Sequence, residues 1–202
     1  MGKIKNIIFD YDNVLGDVHL SHIEYFKTVP GHENFRREDI PKVLQNHNGA
    51  WCEVPPEHRK SFEASPHRFK RPLMPGVADA LKKFRDAGIR RFVLTATSDP
   101  DDKRRALEKY IGDLAEFSCS CRANKSDGIR AIILENNLDP GETVFIDDLF
   151  HYIRQALEIP GLRAVRFQPE FYSELPDDLA GRIPAVKNMD EFFNLITNGE
   201  LI

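Results

Sequence analysis

The chain has only three cysteines, Cys52, Cys119 and Cys121. So sparse and odd a count gives no disulfide framework and points to free thiols in a reducing, cytoplasmic setting. Long hydrophobic runs are missing too. The longest uninterrupted aliphatic stretch, 131–134, falls far short of the roughly 20 residues a membrane span needs. The apolar part of the N-terminus is confined to 7–9 and is followed at once by acids, which is not the core of a secretory signal. Neither sign of charge dominates, with 28 Lys+Arg against 32 Asp+Glu and a formal net charge of -4. That balance supplies no overall positive field to gather a phosphate backbone, so nucleic acid is not expected as a partner. There is no internal repeat and no low-complexity tract. What is present, 41% hydrophobic and 30% charged residues over a length of 202, is globular composition, long enough for one core carrying an inserted subdomain.

Short β-branched and aromatic runs alternate with helix-length amphipathic segments, the pattern of a parallel sheet covered by helices. Strands are expected over 4–9, 91–94, 143–146 and 162–167, with weaker candidates at 116–119 and 183–186. Near-continuous apolar character in Phe92-Val93-Leu94 and Val144-Phe145-Ile146 suits central strands buried on both faces. Val77, Ala80, Leu81 and Phe84 mark a helix that Gly88 stops, and 101–110, 126–136 and 149–158 read as further crossover helices. One stretch breaks this rhythm. Residues 17–72 are locally polar and hold six of the seven histidines and the single tryptophan, Trp51. Within it 19–26 and 39–45 look helical, and no strand alternation is evident. The expected organisation is therefore a core of 1–16 and 73–202 with a helical insertion at 17–72.

The acids are placed with regularity. Asp10 and Asp12 follow the first strand directly, Asp147 and Asp148 follow the strand at 143–146, and Thr95 closes the run Phe92-Val93-Leu94. In an open parallel sheet, ligands bind outside the carboxyl ends of the strands. A single acid there is ordinarily a helix cap or turn residue. Capping wants one acid per helix start, however, and here the acids double at two strand ends. Four carboxylates converging on one point would repel one another unless a cation sat among them, and an all-oxygen set without a Cys/His cluster favours Mg²⁺ over zinc.

These residues resemble the haloacid dehalogenase (HAD) superfamily. FDYDNVLGD from Phe9 looks like its first motif, with Asp10, Asp12 and Val14 in place, and FVLTAT looks like its second, ending on Thr95. Lys125 before a helix resembles the third, and VFIDD, with Asp147 and Asp148, the acidic fourth. The resemblance implies a Rossmann-like three-layer α/β/α core with a parallel sheet and a small α-helical cap formed by the insertion. It also implies Mg²⁺-dependent hydrolysis of a phosphate monoester of a small metabolite. Asp10 would be the nucleophile, Asp12 the acid and base, and Thr95 and Lys125 the groups that hold the phosphoryl oxygens. Asp148, Asp147, Asp10 and Asp12, the last through its backbone carbonyl, would form the metal site. Dehalogenases of the superfamily lack the acid at position 12, because halide needs no proton, so phosphoryl transfer is the better reading. A phosphomutase or phosphotransferase, or a non-catalytic binding domain of the same fold, are the alternatives. The chain departs from common family usage at Asn13, Ser126 and Tyr152.

In the insertion, basic and acidic residues nearly balance. His19, His22, His32, His47, His58 and His67 are irregularly spaced and lack companion cysteines, so packing or surface roles are expected for them, not a second metal site. Trp51 and Phe62 read as the insertion's own core. Arg36, Arg37, Arg68, Lys70 and Arg71 are candidates to reach substrate. The expected partner is a small phosphorylated metabolite, and the expected state a monomer or homodimer.

Overall fold

The computed structural model describes residues 3–68, 70–97, 100–120, 124–169, 172–199 and 201. Strand β1 (Asn6–Phe9) leads into an insertion that holds α1 (Val18–Phe26), α2 (Ile40–Val43), β2 (Gln45–His47), β3 (Ala50–Glu53) and α3 (Pro56–Glu63). The rest of the chain forms α4 (Val77–Asp86), β4 (Arg90–Ala96), α5 (Pro100–Ile111), β5 (Glu116–Ser120), α6 (Lys125–Glu135), β6 (Thr143–Asp147), α7 (Phe150–Leu157), β7 (Arg163–Phe167), β8 (Ala185–Val186) and α8 (Met189–Thr197).

Six strands form one parallel sheet in the order β5-β4-β1-β6-β7-β8. The chain steps outward from β1 through β4 to β5, then crosses back to lay β6 on the other side of β1. That reversal opens a crevice at the carboxyl ends of the central strands. Pleating sends alternate residues to opposite faces. Ile7, Phe9, Val93, Val144 and Ile146 join α4, α5 and α8 in one core, while Ile8, Phe92, Leu94 and Phe145 join α6 and α7 in the other. Helices therefore cover both faces, the three-layer α/β/α arrangement expected from the sequence. The Phe9, Phe84 and Phe192 rings pack together at centroid separations of 5.6–6.0 Å and anchor α4 and α8 to the middle strand.

The insertion packs around a cluster of its own, with Phe26, Phe35, Ile40, Leu44, Val54 and Phe62 buried together. It departs from expectation in one respect. Strands β2 and β3 form an antiparallel hairpin, pairing His47 with Ala50, where no strand had been expected. The Asn48-Gly49 turn accounts for it, since both residues take positive φ, 49° and 94°, as a two-residue turn of this hand requires. All three residues of β2 are exposed, so no apolar alternation announced the strand. The helix expected over 39–45 is cut to α2 for the same reason, because the backbone is already extended at Leu44. Entry and exit of the insertion are tied together: the Asp17 amide donates to the Pro72 carbonyl at 2.8 Å and the Met74 amide to the Leu15 carbonyl at 2.8 Å. Among the described residues no helix is long and apolar enough to cross a membrane.

Candidate active site

The site begins where β1 ends. The Asp10 amide continues the ladder with a 2.9 Å hydrogen bond to the Ile146 carbonyl, which draws Asp10 alongside Asp147, the last residue of β6. The chain then folds back on itself, with the Gly16 amide donating to the Tyr11 carbonyl at 2.7 Å. Any side chain at Gly16 would strike the Tyr11 ring. Asn13 takes the left-handed conformation in this turn, φ 59°, which Asn adopts more readily than most residues with a side chain.

Carboxylate oxygens of Asp10, Asp147 and Asp148 lie within 4.8 Å of one another, all three residues buried. Lys125, the first residue of α6, places its Nζ 2.6 Å from both Asp10 and Asp147. Its position is fixed by a 2.8 Å hydrogen bond from its own amide to the Gln155 side chain, and by Asn124, which caps the helix through the Ser126 amide. Burial works against the Lys125 charge, but Asp10 and Asp147 hold the ammonium above its ordinary range. Burial pushes the Asp10 carboxyl well up; Lys125 opposes this, and the charges of Asp147 and Asp148 add to it. Asp148 is pushed up to about 7, again first by burial and then by Asp147, against Arg166 and Lys125. Three buried carboxylates facing one ammonium are short of positive charge, and a divalent cation fits this all-oxygen set.

The carboxylate of Asp12 turns elsewhere. It receives the buried Lys103 ammonium from α5 at 2.6 and 2.7 Å, and the Arg71 guanidinium from the base of the insertion at 2.6 Å. Burial alone would raise this carboxyl, yet Arg71 and then Lys103 outweigh it and hold it well below the usual range. Lys103 is lowered to about 8 by burial and by Arg71. Four carboxylates were expected to converge, but three do; Asp12 can meet a cation there only through its backbone. The reason is electrostatic, since two cations offer its side chain more than three anions would.

Thr95 is fully buried in β4, and its hydroxyl has no hydrogen-bond partner among the described residues. Tyr152 sets its ring 4.2 Å from the Lys125 ammonium, a cation–π contact. A cavity of roughly 350 Å³ opens above these groups, floored by Asp10, Thr95 and Lys125 and walled from the insertion by His22, Phe62 and three arginines, Arg59, Arg68 and Arg71. Of the five basic residues proposed from sequence, Arg68 and Arg71 line it. Arg36 pairs with Glu38 at the surface, Arg37 with Asp17, and Lys70 with Glu24. Cys52 lines the cavity as well, its thiol pushed up by burial and so kept protonated. His19 and His22 are buried packing residues, His22 against the Phe62 ring at 5.0 Å. The Trp51 side chain, the Cys119 side chain and Cys121 lie outside the described residues.

Four side chains at the site had not been singled out: Lys103, Arg59, Arg166 and Tyr172. The Tyr172 hydroxyl donates to Asp148 at 3.1 Å. Lys103 arrives from the first turn of α5 and Tyr172 from an irregular segment, and neither sits in a spacing that marks it out.

The fold is a Rossmann-like parallel sheet with acids gathered at its central carboxyl edge and an insertion that walls the cavity beside them. The chain belongs to the haloacid dehalogenase-like hydrolase family, whose model matches residues 4–154. No curated protein matches it in sequence. Among solved structures it is similar to a candidate phosphoglycolate phosphatase from Lactobacillus delbrueckii subsp. bulgaricus, at 17% identity and TM-score 0.68 over 96% of this chain and 99% of that one. It is similar to CbbY from Rhodobacter sphaeroides in complex with phosphate, at 21% identity and TM-score 0.59 over 94% and 96%. It is also similar to the L-2-haloacid dehalogenase from Xanthobacter autotrophicus with chloropropionic acid covalently bound, at 14% identity and TM-score 0.65 over 96% and 98%. At these identities the likeness is one of fold.

Proposed function

We propose that the protein is a Mg²⁺-dependent phosphatase acting on the phosphate monoester of a small metabolite through an aspartyl-phosphate on Asp10. The carrying observation is Asp12: a second acid two residues from the nucleophile, its carboxylate set apart from the Asp10, Asp147 and Asp148 cluster. Halide displacement has no use for such a group, whereas ester cleavage needs a proton delivered to the leaving oxygen and another taken from water. The fold alone does not decide, since relatives of similar shape include both phosphate-binding and haloacid-processing proteins.

In this reading an Asp10 carboxylate oxygen attacks phosphorus and the ester bond breaks. The leaving oxygen takes its proton from Asp12. The entering phosphate dianion lies near Arg71 and Lys103 and raises the proton affinity of Asp12, which those cations otherwise suppress. Water then attacks the phosphoryl group, Asp12 removes its proton, and Asp10 is released with inorganic phosphate. The Thr95 hydroxyl, buried and without a partner among the described residues, donates to a phosphoryl oxygen, and Lys125 keeps positive charge beside the transferring group. Asp10, Asp147, Asp148 and the Asp12 backbone carbonyl would hold Mg²⁺, which supplies positive charge to the phosphoryl oxygens when bound. Residues 17–72 serve as the cap, excluding water and shaping the cavity for a compact leaving group. The free thiol of Cys52 and a small-metabolite partner suit a cytoplasmic setting.

The test is phosphate release from a panel of phosphorylated metabolites and an aryl phosphate, with and without Mg²⁺, beside Asp10→Asn. Mg²⁺-dependent release lost in that variant supports the reading. A folded protein that releases no phosphate from any ester overturns it.

A further inference from the structure

The tip of the β2–β3 hairpin is seated on the core. The Phe150 amide at the start of α7 donates to the Asn48 carbonyl at 3.1 Å, and the Ser173 amide donates to the Gly49 carbonyl at 3.0 Å. The Arg166 Nη2 donates to that same Gly49 carbonyl at 3.2 Å, and the Asn46 side chain reaches the Ser173 hydroxyl at 3.3 Å. The seat is close, because any side chain at Gly49 would be driven into the Phe150 ring, at a φ of +94° that favours glycine.

Two residues of this socket also act on Asp148. Tyr172 donates its hydroxyl to the Asp148 carboxylate at 3.1 Å. Arg166, fully buried on β7, has its guanidinium 4.5 Å from the Phe150 ring centre and 5.3 Å from that of Tyr172, and its charge opposes the upward push on Asp148. Its Nε and Nη1 have no hydrogen-bond partner among the described residues, which leaves the hairpin carbonyl as a principal anchor for a buried charge. A buried guanidinium that loses an acceptor turns to the nearest anion, because an unpaired charge away from water is costly.

We propose that seating of the hairpin tip and binding of a divalent cation at Asp148 are coupled through Arg166 and Tyr172. With the tip seated, the Gly49 carbonyl holds Arg166 and leaves Asp148 to the cation. With the tip lifted, Arg166 pairs with Asp148 in the cation's place. The proposal rests on the reading of Asp148 as a cation ligand. It makes Arg166 and Tyr172 positioning residues, and linkage requires the converse, that the cation tightens the seat.

Calorimetric titration of Mg²⁺ and Mn²⁺ into the full chain tests it. Gly49→Ala should weaken binding about fivefold or more, and adding Arg166→Gln to that variant should restore most of the loss. Asp148→Asn is the control and should abolish binding. Native affinity in Gly49→Ala, or no rescue by Arg166→Gln, overturns the coupling while the cation site stands. No binding to the native chain, or native binding in Asp148→Asn, overturns both. Should Gly49→Ala fail to fold, hydrogen exchange on the native chain decides: saturating Mg²⁺ should slow exchange of the Phe150 and Ser173 amides, and unchanged rates overturn the proposal.

Discussion

The Lys103 ammonium bridges both carboxylate oxygens of Asp12, at 2.6 and 2.7 Å, across 91 positions of sequence. Lys103 is 2% exposed, so little water competes for this pair. Its removal leaves Asp12 with Arg71 alone and lets the carboxyl rise toward its ordinary range. Lys103→Met should lower kcat about tenfold or more and move the acidic limb of the kcat–pH profile to higher pH, with Lys103→Arg close to native. A profile that stays in place would show that Lys103 does not govern Asp12.

Asp10→Asn tests the nucleophile. The amide cannot form the phosphoryl ester, so phosphate release should fall by about 10³-fold or more. The fold should survive, because the substitution removes a carboxylate that burial already disfavours. Thermal denaturation of the cation-free variant should therefore lie at or above the native midpoint, and retained turnover would sink the assignment.

Lys125→Met removes the one ammonium that faces Asp10 and Asp147 at 2.6 Å. Breaking a buried pair on one side leaves uncompensated charge and typically costs about 3–5 kcal/mol. Urea denaturation of the cation-free protein should show a loss of that size. Part of it should return on adding Mg²⁺, since a cation replaces some of the missing positive charge. A variant as stable as the native chain would mean that Lys125 is not what stabilises the acids.

Asp148 gives a pH dependence with a definite sign. Its carboxyl, pushed up to about 7, binds a proton more tightly folded than unfolded. The stabilisation from that proton is full below about pH 4 and is lost as pH rises through about 7. In chelator, native melting temperatures should therefore fall relative to Asp148→Asn between those limits. Mg²⁺ should shrink the difference, because it binds the deprotonated form and binds it better as pH rises. Parallel curves for the two proteins would contradict the perturbed carboxyl.

The sheet was legible because burial on both faces writes itself as β-branched and aromatic runs. Phe92-Val93-Leu94 and Val144-Phe145-Ile146 lie within β4 and β6, and Asp10, Thr95 and Asp147 sit at or just beyond the strand ends. Gly88 ends α4 as expected, with φ 74°. The hairpin was not legible by alternation, since every residue of β2 faces water; Asn48-Gly49 was its only signal. Partners that reach the site from elsewhere left no local trace. Lys103 is one of several basic residues on α5, and only the packing of that helix shows that it alone turns inward to Asp12. Arg71 was one of five basic candidates until its ion pair with Asp12 set it apart.

The backbone bridge between residues 15–17 and 72–74 bears on how this architecture accommodates different insertions. The two ends of the insertion are pinned within a hydrogen bond of each other, so the core meets the same short stem whatever length of chain lies beyond it. Loop-closure entropy rises only slowly with length, by roughly 0.6 kcal/mol per doubling. Segments can thus be traded outside the stem at small cost to the sheet. Arg71, one residue before that stem, would be the point at which each new lid has to renegotiate its contact with the acid.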